Sequence, residues 1–312
     1  MKCPDCQINH TYSVGMRCRC GYRFVLDPKK HGISDSAWLA LLKQASGDGT
    51  RWYTRQSLWA GQATRPRSSF WPFAAFMSVA GFLCFLWQPV FAIPAVIILI
   101  VGAILHLRPN RGLSWVTLGS IIDHWQKAGR EMPNYIQRPS LTAPPGDTPT
   151  DVFDYGTERI LVVDDPLLVD FIVLNGIHAD ERCAVIALNG YPEHLKSPIQ
   201  SVIAARPDIP VFLLHAATEA GEAMAKSLPA WLSAATNVVD LGYSRANKYD
   251  IPALKKAQEI DKQTPLTPDL VGHAVMGSML GLAFVEGLTM TQVQEQQAAR
   301  GATDDGSSTG YG

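Results

Sequence analysis

The sequence predicts an α/β protein in three parts: a small cysteine-rich module, a helical hairpin that spans a membrane, and a C-terminal domain built on a parallel sheet. Four of the six cysteines lie in the first twenty residues, and an apolar block without Asp, Glu, Lys or Arg runs from Phe70 to Leu107. After Glu158, short apolar segments alternate with helical ones. This alternation is typical of a parallel sheet that is covered on both faces.

The composition limits the classes of function. Of the 312 residues, 47% are hydrophobic and 18% are charged, and the formal net charge is −1. This balance suits a soluble protein with a short membrane segment. It argues against a strongly basic nucleic-acid binder, although a local basic face is compatible with it. The polar start Met1–Cys6 has no apolar core, so we expect no cleavable signal peptide.

The cysteine-rich module has the ligand spacing of a zinc site. Cys3 and Cys6 are separated by two residues and Cys18 and Cys20 by one, with eleven residues between the two pairs. Two such pairs on separate turns supply four soft ligands for Zn²⁺, and Gly21 allows a tight turn after the second pair.

Over Met1–Asp27 the module resembles the zinc-ribbon family, although that family has two residues inside each pair. The resemblance implies a structural zinc, because four thiolates leave no open coordination position. Two alternatives stay open: His10 replaces one thiolate, or the thiols are free or hold another metal.

The module is also basic. Its cations serve either solubility and cytoplasmic retention or the binding of nucleic acid or a protein partner. They are Arg17, Arg19, Arg23, Lys29 and Lys30.

The block Phe70–Leu107 is predicted to anchor the chain in a membrane. As one helix it would be about 57 Å long, nearly twice the ~30 Å of a bilayer core. Gln88-Pro89 divides it into Phe70–Trp87 and Val90–Leu107, each of about the minimum spanning length, and this pattern predicts a helical hairpin. The alternative is a buried hairpin in a soluble helical protein.

The flanks of the block predict its orientation. Arginines lie on both sides, and no acidic residue occurs between Asp48 and Asp123. The positive-inside rule therefore places both termini in the cytoplasm, at a bacterial-type inner membrane. Trp71, Trp87 and Trp115 lie near the expected interfaces. The flanking arginines are Arg51, Arg55, Arg65, Arg67, Arg108 and Arg111.

Helical segments are predicted on both sides of the anchor. Ser34 or Asp35 can cap a helix with an apolar face that ends at Gly47–Gly49, and an aromatic element containing Trp52 and Trp59 follows. The second helix, Trp115–Gly129, is amphipathic and either lies on the membrane or packs under the next domain. The predicted divisions are a ribbon (1–30), a juxtamembrane segment (31–68), the hairpin (69–108), a helix with a proline-rich linker (109–150), the α/β domain (151–290) and a disordered tail (291–312).

The α/β domain is predicted from its strands. Helices at Leu167–Asn175, Ile199–Ala205 and Glu222–Leu232 separate them. A further core helix is expected over Pro268–Leu288. The predicted strands are Ile160–Val163, Ala184–Leu188, Val211–Leu214 and Asn237–Leu241.

Polar residues follow the strands at the edge where parallel α/β sheets carry their sites. Asp164 and Asp165 can alternatively cap a helix, His215 can be a hydrogen-bonded structural residue, and Glu219 can serve a helix dipole. The edge residues are Asp164, Asp165, Asn189, Gly190, His215, Thr218 and Glu219.

Two families share an apolar strand that ends in acidic residues. A response-regulator receiver is rejected because Leu188 would occupy its phosphoacceptor position. The better resemblance, over about one hundred residues, is to the Toprim domain of the topoisomerase VI A-subunit type. Asp164 stands at that family's Glu position, Asn189–Pro192 at its glycine turn, and Gly221 at its helix start. Its Asp-x-Asp pair, which holds Mg²⁺, is replaced here by Ala216 and Thr218.

The missing pair predicts the function. The resemblance implies a membrane-anchored cytoplasmic binding or scaffold protein that recognises a nucleotide, nucleic acid or protein partner. Zinc is expected as its structural metal, and Mg²⁺ is expected only if a shifted acidic site is present. One alternative is a phosphoryl-transfer enzyme or nuclease with a shifted site built from Asp164, Asp165, His215 and Glu219. The other is a subunit of a membrane complex that grips its partner through the ribbon and the juxtamembrane helices.

Overall fold

The computed structural model describes residues 1–11, 15–63, 113–143, 157–226, 228–243, 266–293 and 295–296. The described residues before 64 and after 112 belong to one compact unit. The predicted hairpin Phe70–Leu107 lies outside the described residues, as do the linker after residue 143 and residues 297–312 of the predicted tail. Among the helices of the described ranges, none combines the length and the apolar content needed to cross a membrane.

A four-stranded parallel sheet forms the centre of the α/β part, as predicted. The strands are β1 (Arg159–Val163), β2 (Cys183–Ala187), β3 (Val211–Leu214) and β4 (Val238–Asp240). They lie in the order β2-β1-β3-β4. Val163 pairs with Ala187 on one side and with Leu214 on the other, so the carboxyl ends of these strands share one edge. Strand β2 lies on one side of β1 and strands β3 and β4 lie on the other, so the strand order reverses between β1 and β3. Open α/β sheets bind ligands at such a switch point.

Helices cover both faces of the sheet. On one face Ile160, Val162 and Leu213 pack with Ile199 and Ile203 of a long helix. On the other face Leu161 and Val163 join a larger cluster that includes the N-terminal helices. The helices that follow β1 are α5 (Pro166–Leu174), α6 (Ile177–Asp180), α7 (Glu193–Ala205), α8 (Glu219–Lys226) and α9 (His273–Glu286), with 3-10 turns at Ala230–Leu232 and Pro268–Val271.

The N-terminal helices bury three tryptophan side chains. They are α1 (Pro28–His31), α2 (Asp35–Ala45), α3 (Arg55–Ala63) and α4 (Trp115–Lys127). Trp38, Trp59 and Trp125 are fully buried or nearly so. The apolar face of α4 therefore packs under the α/β part, because the same core continues from these indoles to the sheet.

Hydrogen bonds from two side chains connect the N-terminal helices directly to the α/β part. Asn175 exchanges two hydrogen bonds of 3.0 Å with the backbone of Trp52, and the Thr54 hydroxyl donates to the buried carboxyl of Asp269. The first part of the proline-rich linker also packs here, since Ser140 donates through its amide to Asp170 at 2.8 Å. The N-terminal helices and the α/β part are consequently packed together.

Some elements differ from the predicted bounds. Helix α7 begins at Glu193, six residues before the predicted start, and continues through Pro198. The helix expected over Pro268–Leu288 is divided at Gly272, whose φ of 78° is left-handed. The packed core continues to Val293, which is fully buried, beyond the predicted start of the tail at residue 291. These differences come from tertiary packing, which overrides local propensity at element ends.

Candidate functional site

The four N-terminal cysteines converge, as the spacing predicted. Their sulfur atoms lie within 4.8 Å of one another, and the Sγ–Sγ distance is 3.6 Å for Cys3–Cys20 and for Cys6–Cys18. Four sulfurs at ~2.3 Å around one zinc are about 3.8 Å apart in a tetrahedron. A disulfide needs about 2.05 Å, so these are free thiols at metal-ligand spacing. The cluster is consistent with a structural zinc site held by Cys3, Cys6, Cys18 and Cys20.

Two backbone turns present these sulfurs. In the first, the amide of Gln7 donates to the carbonyl of Cys3 at 3.0 Å. In the second, the amide of Gly21 donates to the carbonyl of Cys18 at 3.0 Å, and Gly21 has a φ of 99° that glycine adopts without strain. The shorter Cys-x-Cys spacing therefore still closes a turn around the site. A bound zinc would hold the two turns together.

The charge on the thiols explains why a cation belongs here. The backbone amide of Cys20 lowers the pKa of Cys18 to about 7. The pKa of Cys20 is raised to about 12, because burial and the neighbouring thiols outweigh the favourable amide of Tyr22. Four adjacent thiols cannot all ionise without a cation, and Zn²⁺ supplies the compensating charge.

His10, the alternative ligand, lies outside the sulfur cluster. Its Nε2 is 2.9 Å from the carbonyl oxygen of Gly15, and its ring packs against Phe24 with a centroid distance of 5.4 Å. His10 is also largely buried. It therefore serves the fold of the module.

A buried carboxylate attaches the cysteine module to the helices. Asp35 has no exposed surface and accepts three hydrogen bonds from the module: the hydroxyl of Tyr22 at 2.8 Å, the amide of Val25 at 2.9 Å and the amide of Leu26 at 2.7 Å. Arg130 adds a cation–π contact of 4.7 Å over the Tyr22 ring. The sequence suggested Asp35 only as a helix cap, a role that Ser34 takes instead.

At the sheet edge, the predicted acidic side chains are used by the backbone. Asp164 accepts a 2.8 Å hydrogen bond from the amide of Ala216, so the ends of β1 and β3 are tied together. Asp165 accepts from the amide of Leu167 at 2.9 Å and caps α5. Glu219 is exposed in the first turn of α8. The Asp164 pKa is raised, because burial outweighs the amide of Ala216 and the charge of His215.

His215 contacts a carboxylate at this edge that the sequence did not predict as its partner. Its Nε2 lies 3.1 Å from Oδ1 of Asp240 at the end of β4, and its Nδ1 lies 2.9 Å from the carbonyl oxygen of Ala216. The His215–Asp240 distance is short enough for an ion pair, but the two groups are not aligned for a hydrogen bond. Burial lowers the His215 pKa, but Asp240 and the Ala216 carbonyl more than offset this, so the net shift is upward.

Two glycines make room for the His215 ring. A Cβ at Gly221 would lie 2.8 Å from Nδ1 of His215, and a Cβ at Gly242 would overlap the imidazole. The Gly221 that the Toprim resemblance assigns to a helix start is thus required for packing His215. His215 is 97% covered on its side chain, which leaves little of the ring for a ligand.

Within the described residues, the four cysteines are the only group of three or more Cys, His, Asp or Glu side chains at metal-ligand spacing. The catalytic candidates Asp164, Asp165, His215 and Glu219 therefore do not converge on one cation position there. No protein-family model, curated protein or solved structure matches this chain.

Sequence reasoning also missed Asp269. This carboxyl group is almost completely buried beside α3, and burial raises its pKa to about 6 despite the hydrogen bond from Thr54. The negative charge of Asp165 contributes to the same shift. No motif surrounds Asp269 in the sequence, so only the packing of α3 against the Pro268–Val271 turn shows its environment.

Proposed function

We propose that this chain is a membrane-anchored binding protein in which a zinc ribbon and a Toprim-like α/β part, both cytoplasmic, form one recognition unit without phosphodiester chemistry. The observation that carries the proposal is the use of the edge carboxylates. Asp164 is bonded to the Ala216 amide and Asp165 caps α5, while the two positions of the Asp pair hold Ala216 and Thr218. Hard cations such as Mg²⁺ need several oxygen ligands, and among the described residues the carboxylates of this edge do not form a group of three at metal-ligand spacing.

The arrangement of β1 and β3 supports the Toprim-like assignment. In that family the Glu after strand one and the Asp pair after strand three act on one substrate, so their strands are adjacent. Here β1 and β3 are adjacent, and Asp164 is hydrogen-bonded to Ala216 across them. Asp164 therefore supplies a carboxylate at the position of the family's Glu, whereas Ala216 and Thr218 supply none at the positions of its Asp pair.

The proposed hairpin gains support from the residues on either side of it. The indole Nε1 of Trp59, in α3, donates to the carbonyl oxygen of Leu113 at 3.0 Å. The residues that precede and follow the segment 64–112 are therefore close together in one compact unit. A segment with an even number of membrane crossings requires this, because both of its ends lie on the same side.

The surface of the cysteine module favours an anionic partner. Arg17 and Arg23 face each other in an antiparallel bridge, and both are exposed together with Arg19. Like charges placed opposite each other are unfavourable unless an anion lies nearby. The two negative charges of a Zn²⁺ tetrathiolate offset only part of this positive charge, so nucleic acid is the first partner to test.

The absence of phosphodiester chemistry is tested on the full chain in detergent. Calorimetric titration with Mg²⁺ and Mn²⁺ should detect no site that depends on Asp164, and labelled single-stranded and duplex DNA should stay intact. Asp164→Ala is compared with Asp208→Ala, an exposed residue at another loop. Cation-dependent cleavage that Asp164→Ala abolishes and Asp208→Ala preserves would establish the shifted-site enzyme instead.

Binding is tested with the same preparation. Fluorescence polarisation with a labelled 20-nucleotide DNA should show an affinity that falls about tenfold or more on combining Arg17→Gln, Arg19→Gln and Arg23→Gln, and that weakens with salt. Equal binding by the triple variant would remove nucleic acid as the partner of this surface. Membrane topology is tested separately with single cysteines at Gln88 and Thr148, which we expect to be periplasmic and cytoplasmic respectively.

A further inference from the structure

An open groove of about 530 Å³ follows the exposed face of α4. Trp115, Asp123, His124 and Lys127 line it from α4, and Arg55 lines it from α3. None of these residues is used by the zinc cluster or by the sheet edge. The groove is therefore a separate surface of the unit.

Arg55 is held rigidly at one end of this groove. Its Nη2 donates to the carbonyl oxygen of Trp115 at 2.6 Å, and its guanidinium lies 4.0 Å over the Trp115 ring. Gly119 leaves room for this position, because a Cβ there would lie 2.8 Å from the Cζ of Arg55. Arg55 is thus a half-buried cation on the surface of α4.

The charges around the groove are unbalanced. Among the described residues, no carboxylate lies within ion-pair distance of Arg55. Lys127 and His124 add further basic groups, against Asp123 as the acidic residue of the lining. A partly desolvated guanidinium without a counter-ion is unfavourable, and its planar donors suit a phosphate group.

The position of the groove indicates the source of that phosphate. Helix α3 ends at Ala63, and the bond from Trp59 holds the returning chain at Leu113, two residues before the groove begins at Trp115. Phe70, the start of the proposed anchor, follows Ala63 by seven residues, which reach at most about 25 Å when extended. Under the proposed anchoring, this short connection allows the groove to reach the bilayer surface, where tryptophan and basic side chains are favoured.

We propose that this groove binds the phosphate headgroup of an anionic phospholipid, with Arg55 as its principal ligand. The proposal rests on the membrane anchoring given under the proposed function. Arg55 makes charge-assisted hydrogen bonds to the phosphate, Lys127 supplies additional positive charge, His124 supplies a ring N–H donor, and Trp115 keeps the guanidinium in place. Bound lipid would orient the recognition unit relative to the membrane surface.

The test uses the full chain in nanodiscs of phosphatidylcholine alone or with one third phosphatidylglycerol. Lipid retained after transfer to detergent is counted by native mass spectrometry, and hydrogen exchange of α4 is followed in both discs. We expect retention of phosphatidylglycerol over phosphatidylcholine and slower exchange in the anionic disc. Arg55→Gln should reduce retention about tenfold, and the pair His124→Gln with Lys127→Gln should reduce it about threefold.

The variants distinguish binding from folding. Because Arg55→Gln also removes a contact with Trp115, the exposed His124 and Lys127 pair provides a second test that leaves the Arg55–Trp115 contact intact. Arg206→Gln, an exposed arginine after α7, is the matched control and should retain wild-type lipid. Equal retention by the wild type and both groove variants would overturn the proposal.

Two further outcomes separate this inference from membrane anchoring. Carbonate extraction of cell membranes shows whether the chain is integral; a soluble chain would refute both ideas together. If the chain is integral but inorganic phosphate at low millimolar concentration displaces the lipid fully, the groove takes free phosphate, and the assignment to a lipid is wrong. Integral behaviour with no preference for the anionic lipid refutes the groove alone.

Discussion

Replacing Asp35 tests whether the cysteine module is part of one packed unit. Asp35 is completely buried and accepts hydrogen bonds from the Tyr22 hydroxyl and from the amides of Val25 and Leu26. In Asp35→Ala these three donors lose their acceptor within the interface. The variant should therefore lose the attachment of the module to α2.

The magnitude follows from the three lost bonds. A buried donor without a partner costs about 1–3 kcal/mol, and water that enters the gap recovers part of this. We therefore expect Asp35→Ala to lower the free energy of unfolding by about 3–5 kcal/mol, in the range measured when one partner of a buried charged network is removed. Asp35→Asn keeps one acceptor oxygen and should cost about half as much.

The assay has a stability readout and a local one. Urea unfolding of the full chain in detergent, with zinc present, gives the free-energy change, and the rate of zinc transfer to a coloured chelator reports the opening of the module. Asp35→Ala should release zinc at least tenfold faster than the wild type. Asp208→Ala is the control: Asp208 is exposed in a loop, so its replacement should cost less than about 0.5 kcal/mol.

The reasoning would be refuted if Asp35→Ala changed stability by less than about 1 kcal/mol and left zinc release unaltered, since a buried acceptor of three bonds cannot be neutral in a packed interface.

Further predictions concern the metal, a buried acid and a packed glycine. The purified chain should hold one zinc by elemental analysis, and changing any of the four cysteines to Ser should lower this content; zinc retained by all four variants would contradict the site. The Asp269 pKa of about 6 lies above its ordinary 3.8, so its stabilisation is complete below pH 3.8 and is lost as pH rises through 6. Asp269→Asn should therefore be more stable than the wild type at pH 7.5, by up to about 3 kcal/mol in urea unfolding, and lose this pH dependence. Gly242→Ala should lower the melting temperature by several degrees because its Cβ overlaps His215, whereas Gly277→Ala, in α9 with the nearest atom of Ile177 at an ordinary 3.9 Å, should leave it equal or higher.

The parts of the fold that sequence predicted are those with a local signal. The apolar run Val211–Leu214 is a strand in full agreement with its predicted bounds, and the Cys spacing placed four thiols together. Helix α2 begins after Ser34, as its capping residue indicated. Hydrophobic periodicity, helix-capping residues and ligand spacing depend on residues that are close in sequence. They can therefore be recognised without knowledge of distant contacts.

The candidate site was predicted less completely. Asp164 and His215 were placed at the correct edge, because strand ends can be located from sequence. Their partners were missed: Asp240 lies beyond the next helix, and Gly242 is a neighbour of His215 only because β3 and β4 pair. Whether a carboxylate binds a metal or a backbone amide depends on what faces it, and the sequence order does not contain that information.

By itself, the sequence determined the parallel α/β class, the convergence of the four cysteines and the position of the charge-free block, because each follows from the order and chemistry of neighbouring residues. Only the tertiary structure decided that the cysteine module is bound to α2 through Asp35, that α4 turns its apolar face to a common core, and that Asp164 is engaged by the Ala216 amide. These features join residues far apart in the chain, and burial and hydrogen-bond geometry select among partners that the sequence leaves equivalent.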